Sequence, residues 1–408
     1  MATTPVPPSG KSDGPGRGLA ARVSLGRQFR PLASEFLLIA AVAIFLTVFG
    51  FVMVLSATSA STDPFDIALK QGIFGAVGIP LMFVLSRFPL TFWKRMAWPI
   101  LILAVAFQML IYTPLAIEND GNVGWVDLGV AQAQPAEFLK LATAIWIGFI
   151  LARKEALLTN WKHLAIPLVP VVILVLASVL GGEDLGTAMI IMLVVFAALF
   201  FAGVKLRILI FPLAVAAVAV AVLAITSPNR IQRITSFLDP NCSASDALCY
   251  QQEHGLWALA NGGLFGVGLG NSTEKYGWLP AKGNDFIFAI IGEELGLIGC
   301  FVVLALFAVF TFAAIRIIRR TDDTFVRIVA GAIAIWIVGQ ALVNIAVVLR
   351  LAPPLGVPLP FLSQGGTSLL SVLIAAGVLL SFARTLPADA PAPTPVRVRN
   401  PVQRIDTL

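Results

Sequence analysis

The sequence predicts an all-α polytopic membrane protein: ten transmembrane helices, both termini cytoplasmic, and a large extracytoplasmic loop between spans seven and eight. Three observations carry this expectation: composition, a succession of long apolar runs, and a one-sided distribution of Lys and Arg. Of the 408 residues, 58% are hydrophobic and only 12% charged, with a mean hydropathy of +0.91; soluble domains carry about a quarter charged residues. The formal charge of +6 does not indicate nucleic acid, because the basic residues lie between apolar segments and form no basic face.

Residues 1-34 are rich in Pro, Gly, Ser and Arg and read as a disordered basic tail rather than a signal peptide. A spanning helix needs about 20 apolar residues, and the candidates are 36-56, 67-86, 97-115, 136-152, 165-182, 187-203, 207-226, 286-315, 328-351 and 367-383. Together they form a membrane domain over 35-384, with the large loop at 227-285. The Pro-rich, basic stretch 385-408 reads as a disordered tether. Of the 28 Lys and Arg residues, 21 fall in the two tails and in the loops after spans two, four, six and eight, so that face is the cytoplasm. The opposite face is acidic and holds the large loop, which places Asp285 outside.

Asp285 opens the eighth span, and Glu293 and Glu294 interrupt its apolar run; ionisable groups inside a spanning helix are costly and mark function by default. On a 3.6-residue repeat Glu293 lies about 80° from Asp285 and shares a broad face with it, whereas Glu294 points away and reads as a packing group. Gly292, Gly296 and Gly299 read as a strip for close helix packing. Of the three cysteines, Cys300 reads as a buried apolar residue, and Cys242 and Cys249 share one polar loop where a local disulfide is plausible. His163 and His254 are too few for a histidine-based metal site.

Four polar clusters lie at the outer ends of spans. In WVDLGVAQAQPAEFLKL, Gln134 and Pro135 lead into span four, and Glu137 and Lys140 sit at i and i+3. Lys140 either pairs with Glu137 or reaches across the bundle to Asp285. In GGEDLGTAM, Asp184 either caps the helix that Thr187 opens or helps hold a divalent ion. The large loop carries Arg230 and Arg233, then GGLFGVGLG. No strand precedes those glycines, so they read as a close backbone approach rather than a dinucleotide site. Residues 250-260 read as a helix anchored on the membrane by Trp257. In APPLGVPLPFLSQGGTSLL four prolines preclude a helix and predict a re-entrant loop, with Ser363, Gln364 and Thr367 as hydrogen-bonding groups. Arg350 ends span nine.

These clusters, in this order over about 36-384, resemble the SEDS family (shape, elongation, division and sporulation; the FtsW and RodA proteins). VMVLSATSA, QPAEFLK, DLGTA, ITSFLDP, GGLFGVGLG, NDFIFAIIGEELGLIG and PLPFLSQGGTSLL carry the resemblance, and GEELG with VPLPFLSQGGTS looks more like the division-type branch. The resemblance implies a peptidoglycan glycosyltransferase that polymerises lipid II at the outer face of the cytoplasmic membrane, at the division septum. Implied partners are a class B penicillin-binding transpeptidase and other divisome proteins. It also maps the essential aspartate onto Asp285. Relatives commonly have Arg at Gly124, and Glu and His at Ala281 and Gly283. Forming a β-1,4 link from an α-diphosphate donor needs a base, Asp285, and positive charge for the leaving group. Lys140, Arg230, Arg233, Lys275, Lys282 and Arg350 are the candidates, with Mg²⁺ or Mn²⁺ bridging oxygens. A lipid II flippase and a non-enzymatic division scaffold are the alternatives.

Overall fold

The computed structural model describes residues 33–60, 63–119, 122–129, 132–158, 161–226, 228–238 and 247–386. The two expected tails therefore lie outside the described residues, apart from Ala33, Ser34, Thr385 and Leu386. The chain is mostly helical: α1 (Ser34–Thr58), α2 (Pro64–Leu85), α3 (Leu90–Gln108), α4 (Pro135–Arg153), α5 (Trp161–Leu180), α6 (Leu185–Phe201), α7 (Leu206–Thr226), α8 (Pro228–Leu238), α9 (Ala247–Gly262), α10 (Ile287–Arg320), α11 (Thr324–Val348) and α12 (Gly366–Ala383). Among the described residues nine helices are long and apolar enough to cross a membrane, and α6, with 17 residues, is apolar but shorter. The chain is a multi-pass membrane protein.

Burial sorts the helices into a centre and a rim. α4, α11 and α12 are buried over most of their length, while α5 and α7 are mostly bare. Helix starts follow local chemistry: Pro135 stands at the first turn of α4, and Asp184 and Asp323 accept from the amides of Thr187 and Phe325 at the starts of α6 and α11. α3 begins at Leu90 rather than 97, because Trp93, Lys94 and Arg95 extend the helix beyond its apolar run and Pro99 is absorbed within it.

A feature the sequence reading missed is a small antiparallel sheet, β1 (Ala116–Asn119), β2 (Asn122–Asp127) and β3 (Gln132–Ala133), in the order β1-β2-β3. Its strands are too short for an alternating pattern to stand out. The Val123 amide donates to Gly182 O at 2.8 Å, which ties the sheet to the turn between α5 and α6.

The glycines of α10 do more than pack. Gly296 has φ 68° and ψ −167°, which breaks the helix. Residues 263–268 fill the break: the carbonyls of Glu293 and Glu294 accept from the Val267 and Gly268 amides, both at 3.0 Å. The Leu297 and Ile298 amides in turn donate to Gly263 O (2.9 Å) and Leu264 O (3.3 Å). The backbone groups freed by the kink are thus re-paired, as apolar surroundings require. This is the close approach expected of GGLFGVGLG. A Cβ on Gly262 would collide with the Gly292 carbonyl. Gly262→Ala is therefore expected to lower stability by about 3 kcal/mol, read as a fall in melting temperature.

Candidate functional site

Asp285 does not lie in α10. It stands in the irregular segment 281–286 just before it, partly buried, so the helical-wheel relation to Glu293 does not apply. That segment is fastened to the proline-rich loop 352–365. The Gln364 amide donates to Gly283 O at 2.7 Å. Ser363 Oγ donates to Asn284 O at 2.7 Å and accepts from the Leu359 amide at 2.7 Å. Asn344 Nδ2 donates to both Asp285 O and Val357 O, each at 2.8 Å. The loop is extended and largely buried without being helical, as its prolines require.

The Asp285 carboxylate lies beside Gly356. A Cβ on Gly356, which has φ 68°, would sit 3.8 Å from Asp285 Oδ2 and 4.0 Å from Arg233 Nη1. A carboxylate and a guanidinium thus border one small space that the glycine keeps open. Arg233 belongs to the strongly amphipathic α8 and also lies 3.4 Å from Pro354 O. Arg230, one turn earlier, donates to Glu183 O at 2.8 Å and Leu223 O at 3.2 Å. Gly186 packs directly under Leu355 O and Val357, which brings the Asp184 turn against the same loop. Arg350, with φ 55°, is partly buried where α11 ends and this loop begins.

Asp184 behaves as a cap through Oδ1, at 2.8 Å from the Thr187 amide, while Oδ2 takes one long bond of 3.4 Å from Gln134 Nε2. A Cβ on Gly124 would lie 3.7 Å from that same Oδ2, so a side chain there would reach the acid. At Gly283 the space is filled instead: Gln364 Oε1 lies 2.6 Å from where a Cβ would stand.

Several expected site residues are engaged elsewhere. Lys140 does not pair with Asp285. It is buried, bonded to Glu137 Oε1 at 2.7 Å and Gln340 Oε1 at 2.8 Å, with Trp336 beneath it. Glu137 Oε2 accepts from Ser371 Oγ at 3.3 Å. The short helical spacing brought Lys140 to its own carboxylate first. Glu293 is taken up by Ser272 Oγ, the Thr273 amide (3.0 Å) and Thr273 Oγ1 (2.8 Å). Glu294 accepts from Ser56 Oγ at 2.6 Å and faces Lys275 at 3.5 Å. Lys275 is 1% exposed and also donates to Gly270 O, so both acids and this lysine hold the glycine loop in place. Lys282 is half-buried and donates to Lys275 O. Burial, and after it the Lys275 charge, push its pKa below the ordinary lysine range. Thr367 Oγ1 accepts from the Gln134 amide at 3.0 Å, which joins α12 to the start of α4. Cys249 is buried, whereas Cys242 lies outside the described residues, and Cys300 is free and buried. Trp257 is half exposed on α9.

Sequence reasoning missed Gln340 and Asn344, although two amides four residues apart in an apolar span were a signal of their own. It also passed over Gly356 and Trp336. Away from these groups, α5, α6 and α7 line a half-open apolar pocket of about 810 Å³, with Leu168, Val172, Met192, Val195, Phe211 and Val215 among its walls.

The probable peptidoglycan glycosyltransferase FtsW of Mycobacterium tuberculosis is 36% identical over 364 residues, covering 88% of this chain and 69% of that protein. The protein of the same description from Escherichia coli O157:H7 is 37% identical over 347 residues, 82% of each. Among solved structures, a chain from a peptidoglycan synthase complex described as coordinating polymerization and crosslinking superposes with a TM-score of 0.71 at 23% identity, over 87% of this chain and 98% of the other. The cell cycle protein family FTSW_RODA_SPOVE matches residues 36–387. This chain belongs to that family.

Proposed function

We propose that this protein is a peptidoglycan glycosyltransferase that polymerises lipid II into β-1,4 glycan strands at the outer face of the cytoplasmic membrane during division. The observation that carries the reading is the Asp285 carboxylate, held on irregular backbone and bordering, with Arg233, the space beside Gly356. Its support from outside the site is membership of a family with relatives named as peptidoglycan glycosyltransferases FtsW.

In this reading Asp285 takes the proton from the acceptor's 4-hydroxyl as the sugar attacks the donor's anomeric carbon and the diphosphate leaves. Arg233, which borders the same space, would receive the diphosphate's negative charge, with Lys282 and Arg350 as further cations. The guanidinium of Arg230, committed to two carbonyls, holds α8 against the Asp184 turn. Gln364 and Thr367 shape the loop beside Asp285. The bare α7 and the apolar pocket beside it suit a polyprenyl tail, which needs volume rather than polar partners.

Among the described residues no group of three or more His, Cys, Asp or Glu side chains could hold a metal ion alone. Mg²⁺ needs no such cage when one or two carboxylates and substrate phosphates supply its oxygens. Asp184, with Oδ2 lightly used, and the donor diphosphate fit that ligation for Mg²⁺ or Mn²⁺. The ion's contribution would be neutralisation of the leaving diphosphate. The working complex in this reading includes a class B penicillin-binding transpeptidase and other divisome proteins, consistent with the match to a peptidoglycan synthase complex.

The depressed pKa of Lys282 has a sign that can be checked. A lysine is cationic below its pKa, so Lys282 loses its charge at lower pH than an ordinary lysine would. Binding of a diphosphate substrate should therefore weaken at the alkaline end of a pH series, seen as a rising KM. Lys282→Arg should remove that rise, whereas an unchanged alkaline limb would take Lys282 out of the substrate site. The reading as a whole is tested in proteoliposomes carrying labelled lipid II, with and without EDTA. Lengthened glycan that requires a divalent ion supports a polymerase; transfer of lipid II between leaflets without lengthening supports a flippase instead.

A further inference from the structure

α11 carries two buried amides one turn apart, and each holds a piece of the site. Asn344 Nδ2 is shared between Asp285 O and Val357 O at 2.8 Å each. Gln340 Nε2 donates to Pro358 O at 2.9 Å. On its other side Gln340 Oε1 accepts from Lys140 Nζ at 2.8 Å and Trp336 Nε1 at 2.9 Å. Gln340 and Asn344 are 0% and 1% exposed. Asn344 Oδ1 is buried without a hydrogen-bond partner among the described residues.

We infer that Asn344 is a positioning residue for Asp285, and that Gln340 registers the proline-rich loop against the buried Glu137–Lys140 pair in the same frame. The inference rests on the role proposed for Asp285. Its physical basis is that segment 281–286 and loop 352–365 are both irregular, so neither fixes its own place as a helix would. Asn344 is one donor bonded to a carbonyl of each, which sets the spacing between the aspartate and Gly356, and with it the distance to Arg233. Four residues along the same helix face, Gln340 pins the next residue of the loop, Pro358, to the centre of the bundle. A small displacement of a reacting group is enough to cost about 100-fold in rate even when binding survives.

The experiment uses the full chain in nanodiscs with labelled lipid II and compares Asn344→Ala, Asn344→Asp, Val348→Ala and Asp285→Asn. Val348 is fully buried one turn further along α11 and makes no side-chain hydrogen bond, so it controls for lost packing. Asn344→Ala is expected to lower kcat roughly 10- to 100-fold with KM held within about twofold. Val348→Ala is expected to lower the melting temperature at least as much with kcat nearly kept. Asn344→Asp preserves volume but removes the amide donor, and serves if the alanine variant does not fold; it is expected to lose kcat in the same way. Turnover within about threefold of wild type in a folded Asn344 variant, or an equal kcat loss in Val348→Ala, overturns the inference. An active Asp285→Asn would instead overturn the proposed role of Asp285, so the two failures are told apart.

Discussion

Asp285→Asn should reduce glycan polymerisation by about 10²- to 10⁴-fold while lipid II binding and the melting temperature stay near wild type. The range is that of a removed general base. Asparagine keeps the shape and cannot accept the hydroxyl proton. The backbone bonds that hold segment 281–286 survive the substitution, because Gly283 O, Asn284 O and Asp285 O are the groups bonded to Gln364, Ser363 and Asn344. A folded Asp285→Asn variant that polymerises within about tenfold of wild type would remove it as the base.

The second large effect is expected at Lys140, and it is one of stability. Lys140 and Glu137 are each 1% exposed at the side chain and 2.7 Å apart. Taking away one partner strands the other charge in the buried centre of the bundle, which costs about 3–5 kcal/mol. Lys140→Ala should thus melt well below wild type and lose turnover in proportion to folded protein. Replacing both partners, as in Lys140→Met with Glu137→Gln, should recover much of that stability, because no unpaired charge remains. Gln340 and Ser371 still find a polar neighbour in the glutamine. Thermal melting of the single and double variants decides it: if the single variant melts like wild type, the pair is not holding the bundle together.

Most of the helical layout was legible because length and hydropathy write it directly into the sequence. Span ends were less so, since helices run on through charged turns, as at Lys94 and Arg95. The site was legible in composition but not in pairing. The sequence placed Asp285, Arg233 and the proline-rich loop among the candidates, and Arg233 indeed borders the same space as Asp285. Lys140, Lys275 and Glu293 were candidates for the same reason, an ionisable group near an apolar run, yet each is consumed by partners brought close by local turns: Glu137 three residues away, and the 270–273 segment folded back on α10. The helical relation between Asp285 and Glu293 failed because the helix starts two residues after the aspartate. The break at Gly296 was hidden for a related reason: a glycine inside an apolar run looks the same whether it packs or breaks a helix.

The most direct test of the central proposal is the product formed from labelled lipid II by the purified full chain, assayed with a class B transpeptidase in a divalent-ion buffer. The expected result is a ladder of lengthened glycan from wild type that Asp285→Asn does not produce. Unchanged lipid II from a folded, lipid II-binding wild-type complex would contradict it, and would return the weight to a transporter or scaffold.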